Sequence, residues 1–158
     1  ALLARSVRPY LKGQATAEDR SSLLLGAHLA GAAIEQSMLG AAHALANPLT
    51  ARFGTTHGIA VGRMLPHVVR FNAEDPAIRA IYEDLAAAGG LHPSAAALAE
   101  FLEELLPFAG VEEGLERAGV RGDDLPELAA LAAEQWTAGF NPRPVAAEQL
   151  EGLYRCAF

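Results

Sequence analysis

Gly40-Ala41-Ala42-His43-Ala44-Leu45-Ala46-Asn47-Pro48-Leu49 runs on through Phe53-Gly54-Thr55-Thr56-His57-Gly58 and closes at Leu65-Pro66-His67-Val68-Val69-Arg70-Phe71-Asn72. How this stretch is read decides the fold. It contains an uncharged run with helical periodicity, a turn-rich connection and a second helical run, with no period-two alternation that would mark a strand. Two histidines flank the connection, His43 expected at the end of one helix and His57 at the start of the next. The arrangement predicts two imidazoles meeting in the interior, where each needs a partner. A metal is one such partner.

Working outward, almost every segment reads as helix, which predicts an all-α antiparallel helical bundle. The first helix reaches about Lys12, stopped by Gly13. Thr16 is a natural N-cap for a second, with Asp19 placed as in a capping box. That helix is expected to run to about Ala46, because Pro48 disfavours helical geometry at Asn47. Its apolar part, Leu23 to Ile34, reads as a buried core helix, too short for the ~20 residues a membrane span needs. Gly26, Ala30, Ala33, Ser37 and Gly40 form a stripe of small residues that lets another helix come close.

Further helices are expected from Thr56 to Asn72 with Pro66 inside, from Asp75-Pro76 to Gly89-Gly90, and over Ala95 to Leu106. Glu100, Glu103 and Glu104 should form a solvated face on the last of these. Short segments follow at Val111 to Ala118 and Leu125 to Thr137, and a closing helix at Val145 to Ala157.

The 158 residues are most simply one domain, 51% hydrophobic and only 6% aromatic, with a net charge of −7. An acidic surface without a basic patch argues against nucleic acid or an anionic membrane as partner. The single cysteine, Cys156, excludes an internal disulfide and reads as a small buried hydrophobe in a protein of the reducing cytoplasm. The chain opens at Ala1 directly in a helical pattern, which reads as a fragment, a processed form or an isolated domain.

The remaining histidines have bland readings. His28 is expected as a core histidine with a hydrogen-bond partner, His92 as exposed, and His67 as bonded locally near the carbonyl that Pro66 frees. His57 stands in a first helical turn, where the helix dipole disfavours an imidazolium and keeps the ring neutral, as a divalent metal requires. Two histidines alone do not complete a shell, since zinc or iron normally takes at least three protein ligands.

The run from Gly40 to Asn72 resembles the signature region of the iron-containing alcohol dehydrogenases, in the dehydroquinate-synthase-like superfamily. Weaker similarity extends through Asn141-Pro142-Arg143-Pro144-Val145 and Leu150 to Phe158. The resemblance implies that residues 1–158 are the family's helical metal-binding domain, lacking the N-terminal nucleotide-binding domain. It implies His43 and His57 as ligands of Fe(2+) or Zn(2+), with the other two ligands coming from an Asp-x-x-x-His helix that this chain does not contain. It also implies NAD or NADP as cofactor in the complete protein, a small alcohol or carbonyl substrate, and a homo-oligomer.

Against the family pattern, a third histidine near the substrate is replaced by Asn47, which can hydrogen-bond a substrate but cannot shuttle a proton. Thr50, Thr56, Val61 and Arg63 also depart from it. The isolated chain is expected to be inactive as a dehydrogenase. The alternative is a non-catalytic helical interaction domain, left after loss of the nucleotide-binding half.

Overall fold

The computed structural model describes residues 1–111 and 114–158. Among them are eight α-helices, four 3-10 turns and no strand. The helices are α1 (Leu2–Leu11), α2 (Ala17–Gln36), α3 (Ala41–Phe53), α4 (His57–Asn72), α5 (Pro76–Ala88), α6 (Ala95–Leu105), α7 (Leu125–Ala133) and α8 (Ala147–Cys156). The all-α expectation holds, and most local signals act as read. Thr16 and Asp19 form a reciprocal capping box. Asp75 caps the α5 amides ahead of Pro76, and Ser94 caps α6. The segment expected at Val111 to Ala118 falls partly on residues 112–113, outside the described residues; its end forms a 3-10 turn at Leu115–Ala118.

The second helix does not run to Ala46. It stops at Gln36, and a new helix begins at Ala41 after extended backbone at Ser37 and Gly40. The cause is a long-range cap. Asn141 Oδ1 accepts the Ala41 N–H at 3.3 Å, serving one of the amides that a helix start leaves unpaired. Gly40 eases this approach, since a Cβ there would lie 3.1 Å from Asn141 Oδ1, a tight contact. His43 therefore stands in the first turn of α3, not at the end of α2.

Pro48 does not end its helix either; α3 continues through it to Phe53. Burial overrides the local disfavour. Ala44, Leu45, Ala46, Pro48 and Leu49 are all buried. In the turn before the proline, where the ladder is weakened, Tyr154 Oη donates to the Leu45 carbonyl at 2.6 Å. Burial pushes the Tyr154 hydroxyl pKa well up, so it stays a donor.

The core joins α3, α4, α7 and α8. α3 and α4 form an αα-hairpin, and Leu45, Leu49, Met64 and Val68 meet Leu125, Leu128, Leu150, Leu153 and Tyr154. α6 packs on α4, and Glu103 grips Arg70 through two hydrogen bonds of 2.5 and 2.7 Å. Glu104 pairs with Arg8. Both acids stay solvated as expected, with side chains 39% and 60% exposed, and also tie helices together.

α2 overturns several expectations. It packs chiefly on α1, with Gly26 against Leu3. Leu24 is 75% exposed, Leu29 52%, and Leu25, Ile34 and Met38 are also open. Leu23 to Ile34 is not a core helix, and His28 is exposed. Of the small-residue stripe, Gly26 admits α1 and Gly40 admits Asn141, while Ala30, Ala33 and Ser37 are exposed. Cys156 is exposed as well, because α8 turns Leu150, Leu153, Tyr154 and Ala157 inward and leaves the cysteine off that face.

Candidate metal centre

Two helix starts position the histidines. His43 is the third residue of α3 and His57 the first of α4. Gly54, left-handed with φ +66°, ends α3 and turns the chain back into α4. The ring centroids are 5.5 Å apart and tilted by 50°. The sequence expectation that the two converge is met; the expectation of a site in the interior is not. His43 is partly buried and His57 exposed, so the pair opens on the surface.

Desolvation, and then the nearby His57, lower the pKa of His43. The positive end of α3 acts in the same direction. His43 is therefore a neutral imidazole at neutral pH, with a lone pair available for coordination. Among the described residues no group of three His, Cys, Asp or Glu side chains is placed to hold a metal. The donor set fits half a shell: two imidazoles, open on the side where further ligands could approach.

Asn47 lies one turn beyond His43 on the same face of α3. Its Nδ2 donates to Gln135 Oε1 at 2.8 Å, and Gln135 Nε2 donates to the Leu131 carbonyl at 3.3 Å. Gln135 opens the 3-10 turn Trp136–Phe140, which packs on α3 and carries an exposed edge-to-face pair, Trp136 and Phe140, with centroids 5.9 Å apart. Sequence reasoning missed Gln135, since nothing distinguishes a lone glutamine after a helix from a solvated one.

A buried asparagine pair holds the base of the site. Asn141 Nδ2 donates to Asn72 Oδ1 at 2.8 Å and to the Arg143 carbonyl at 2.6 Å, while Asn72 Nδ2 reaches Tyr82 Oη at 3.0 Å. With the Ala41 amide on Asn141 Oδ1, this network fixes the start of α3 against the end of α4. Arg143 stacks on Phe71, 3.9 Å from the ring centroid, and donates to the Phe71 carbonyl.

His67 lies apart from His43 and His57. It lines a cavity of about 320 Å³ with Arg63, Glu103 and Cys156. Desolvation lowers its pKa, with Glu103 opposing and Arg70 and Arg63 assisting. Its ring makes no hydrogen bond among the described residues, so the local bonding expected from Pro66 is not found. His92 is exposed, as expected.

Residues 1–158 match the family described as "Fe-containing alcohol dehydrogenase family, C-terminal". The chain is 32% identical over 164 residues to a lactaldehyde reductase of Escherichia coli (strain K12), a match covering 99% of this chain and 42% of that protein. It is 30% identical over 162 residues to a 1,3-propanediol dehydrogenase of Citrobacter freundii, with the same coverage of 99% and 42%. A crystal structure of a 1,3-propanediol oxidoreductase superposes with a TM-score of 0.87 at 29% identity, covering 99% of this chain and 42% of that one. The chain thus spans less than half the length of these relatives.

Proposed function

Because this chain belongs to the Fe-containing alcohol dehydrogenase family, as its C-terminal domain, we propose that it is the metal-holding half of an NAD(P)-linked enzyme interconverting a small alcohol and its aldehyde or ketone. The observation that carries this reading is the pair of imidazoles, 5.5 Å apart, at two helix starts. His43 and His57 would hold iron or zinc, with the remaining ligands and the nucleotide site supplied by a part of the protein outside these residues. A metal held there would supply Lewis-acid chemistry for hydride transfer between the alcohol and nicotinamide.

The chain's own residues prepare the site. His43 stays neutral through partial burial and the helix start. The Asn72–Asn141 pair holds α3 so that His43 faces His57. Asn47 offers a hydrogen bond to the substrate beside them, and no proton can pass through its side chain. The exposed apolar face of α2 would be covered by the same missing part. Homo-oligomeric assembly and a cytoplasmic location belong to this proposal; no helix of the described residues is long and apolar enough to cross a membrane.

The test is NAD- and NADP-linked turnover of small alcohols and aldehydes by the full-length protein. Activity that falls at least about a hundredfold in His43→Gln and in His57→Gln supports the reading. Equal activity in the variants overturns it. The 158-residue chain alone is expected to show no turnover. The second reading, a non-catalytic interaction domain, draws on the open α2 face, where Leu24 is 75% exposed. It gains if the full-length protein self-associates through α2 and turns over no alcohol.

A further inference from the structure

A primary amide has two faces of opposite character, and which of them Asn47 turns to the site decides what it can recognise. The orientation follows from a chain of bonds that ends on a group with one role. The Leu131 carbonyl can only accept, so Gln135 must present Nε2 to it, and does so at 3.3 Å. That leaves Gln135 Oε1 as the acceptor for Asn47, whose Nδ2 lies 2.8 Å away. Flipping either amide would set two donors or two acceptors against each other. Asn47 Oδ1 remains, with nothing among the described residues donating to it, one helical turn from His43.

We propose that Gln135 is a positioning residue that locks the Asn47 amide so that Oδ1 serves as the acceptor at the substrate site. The site then favours substrates carrying a hydroxyl next to the reacting carbonyl over equal-sized ones that lack it. The proposal rests on the dehydrogenase reading above for the place of the substrate. The Asn47–Gln135–Leu131 chain is independent of that reading. One hydrogen bond made only by the hydroxylated substrate corresponds to about a tenfold preference.

The experiment uses the full-length, metal-loaded protein with reduced nicotinamide nucleotide. It compares kcat/KM for glycolaldehyde and for propanal, which has a methyl group where glycolaldehyde has its hydroxyl. The wild type is expected to prefer glycolaldehyde about tenfold. Gln135→Leu should bring the ratio to within about twofold of unity, chiefly through a higher KM for glycolaldehyde. A wild-type ratio near unity, or a ratio unchanged in Gln135→Leu, overturns the proposal.

Hydrogen exchange of the Asn47 side-chain amide, read by NMR on asparagine-labelled protein, supplies a readout that needs no turnover. One N–H should exchange slowly in the wild type and fast in Gln135→Leu. Equal exchange in the two overturns the lock. Absence of turnover in the wild type overturns the dehydrogenase reading and the substrate preference with it, while exchange still judges the lock separately.

Discussion

Two helical hairpins of similar composition have opposite fates in this molecule. In the hairpin of α3 and α4, Leu45, Leu49 and Met64 are almost wholly inaccessible, enclosed by α7 and α8. In the hairpin of α1 and α2, Leu24, Leu25, Leu29 and Ile34 face outward. Both hairpins are apolar enough for a core. The difference is that only one finds its partners within these 158 residues. Apolar content therefore tells that a helix needs covering, not that the chain at hand covers it.

Truncating one side chain in each hairpin separates the enclosed helices from the open ones. Leu45→Ala is expected to cost about 2–5 kcal/mol, because it leaves a cavity in a packed core. Leu29→Ser, an exposed position in these residues, should cost no more than about 0.5 kcal/mol in the 158-residue chain. Urea unfolding of both variants measures this. A Leu29→Ser cost equal to that of Leu45→Ala would show that α2 is already covered. In the full-length protein the Leu29→Ser cost should rise above about 1 kcal/mol if the missing part seats on α2.

The next largest effect concerns what holds the first hairpin in register. Asn141→Ala removes partners from the Ala41 amide and from Asn72 together, and each buried group left unmet costs about 1–3 kcal/mol. Thermal unfolding should show the loss, with His43 and His57 no longer held at a fixed separation. Unchanged stability would mean that the α3 cap contributes nothing. Tyr154→Phe removes the hydroxyl from the Leu45 carbonyl and should cost about 1 kcal/mol.

Smallest is the pH dependence. Desolvation and then His57 lower the pKa of His43, and desolvation leads the lowering of His67. Below the ordinary histidine value of 6.5 the unfolded chain therefore takes up protons more readily than the folded one. Stability should fall progressively as pH drops below that value. Glu103, held low by its hydrogen bonds to Arg70, adds its own loss only as pH falls below the carboxylate value of 4.5. Unfolding midpoints at pH 7.5 and 5.5 test this. Replacing His67 with Gln should flatten the dependence, and an unchanged slope would remove His67 from the account.

How much of this was legible in the sequence follows from how local each cause is. Caps such as Thr16 with Asp19, and Asp75 before Pro76, act within a few residues and are read directly. The convergence of His43 and His57 was anticipated on the wrong ground: the short turn follows Phe53, and His43 stands at the other end of α3. The break before Ala41 was not legible, because its cause is Asn141, 100 residues away. Nor was the survival of Pro48 inside α3, which depends on Tyr154 and on burial from three other helices. Gln135 was invisible for the same reason: its partners, Asn47 and Leu131, meet only in the fold. The open setting of the imidazole pair was hidden too, since an apolar sequence around His43 says nothing of the side left uncovered.

The imidazole pair of the enclosed hairpin is read as half of a metal shell. Metal content of the full-length protein tests it most directly. The wild type is predicted to hold about one equivalent of iron or zinc per chain after dialysis, and His43→Gln and His57→Gln each to lose most of it. A metal content equal in the wild type and in both variants would contradict the claim.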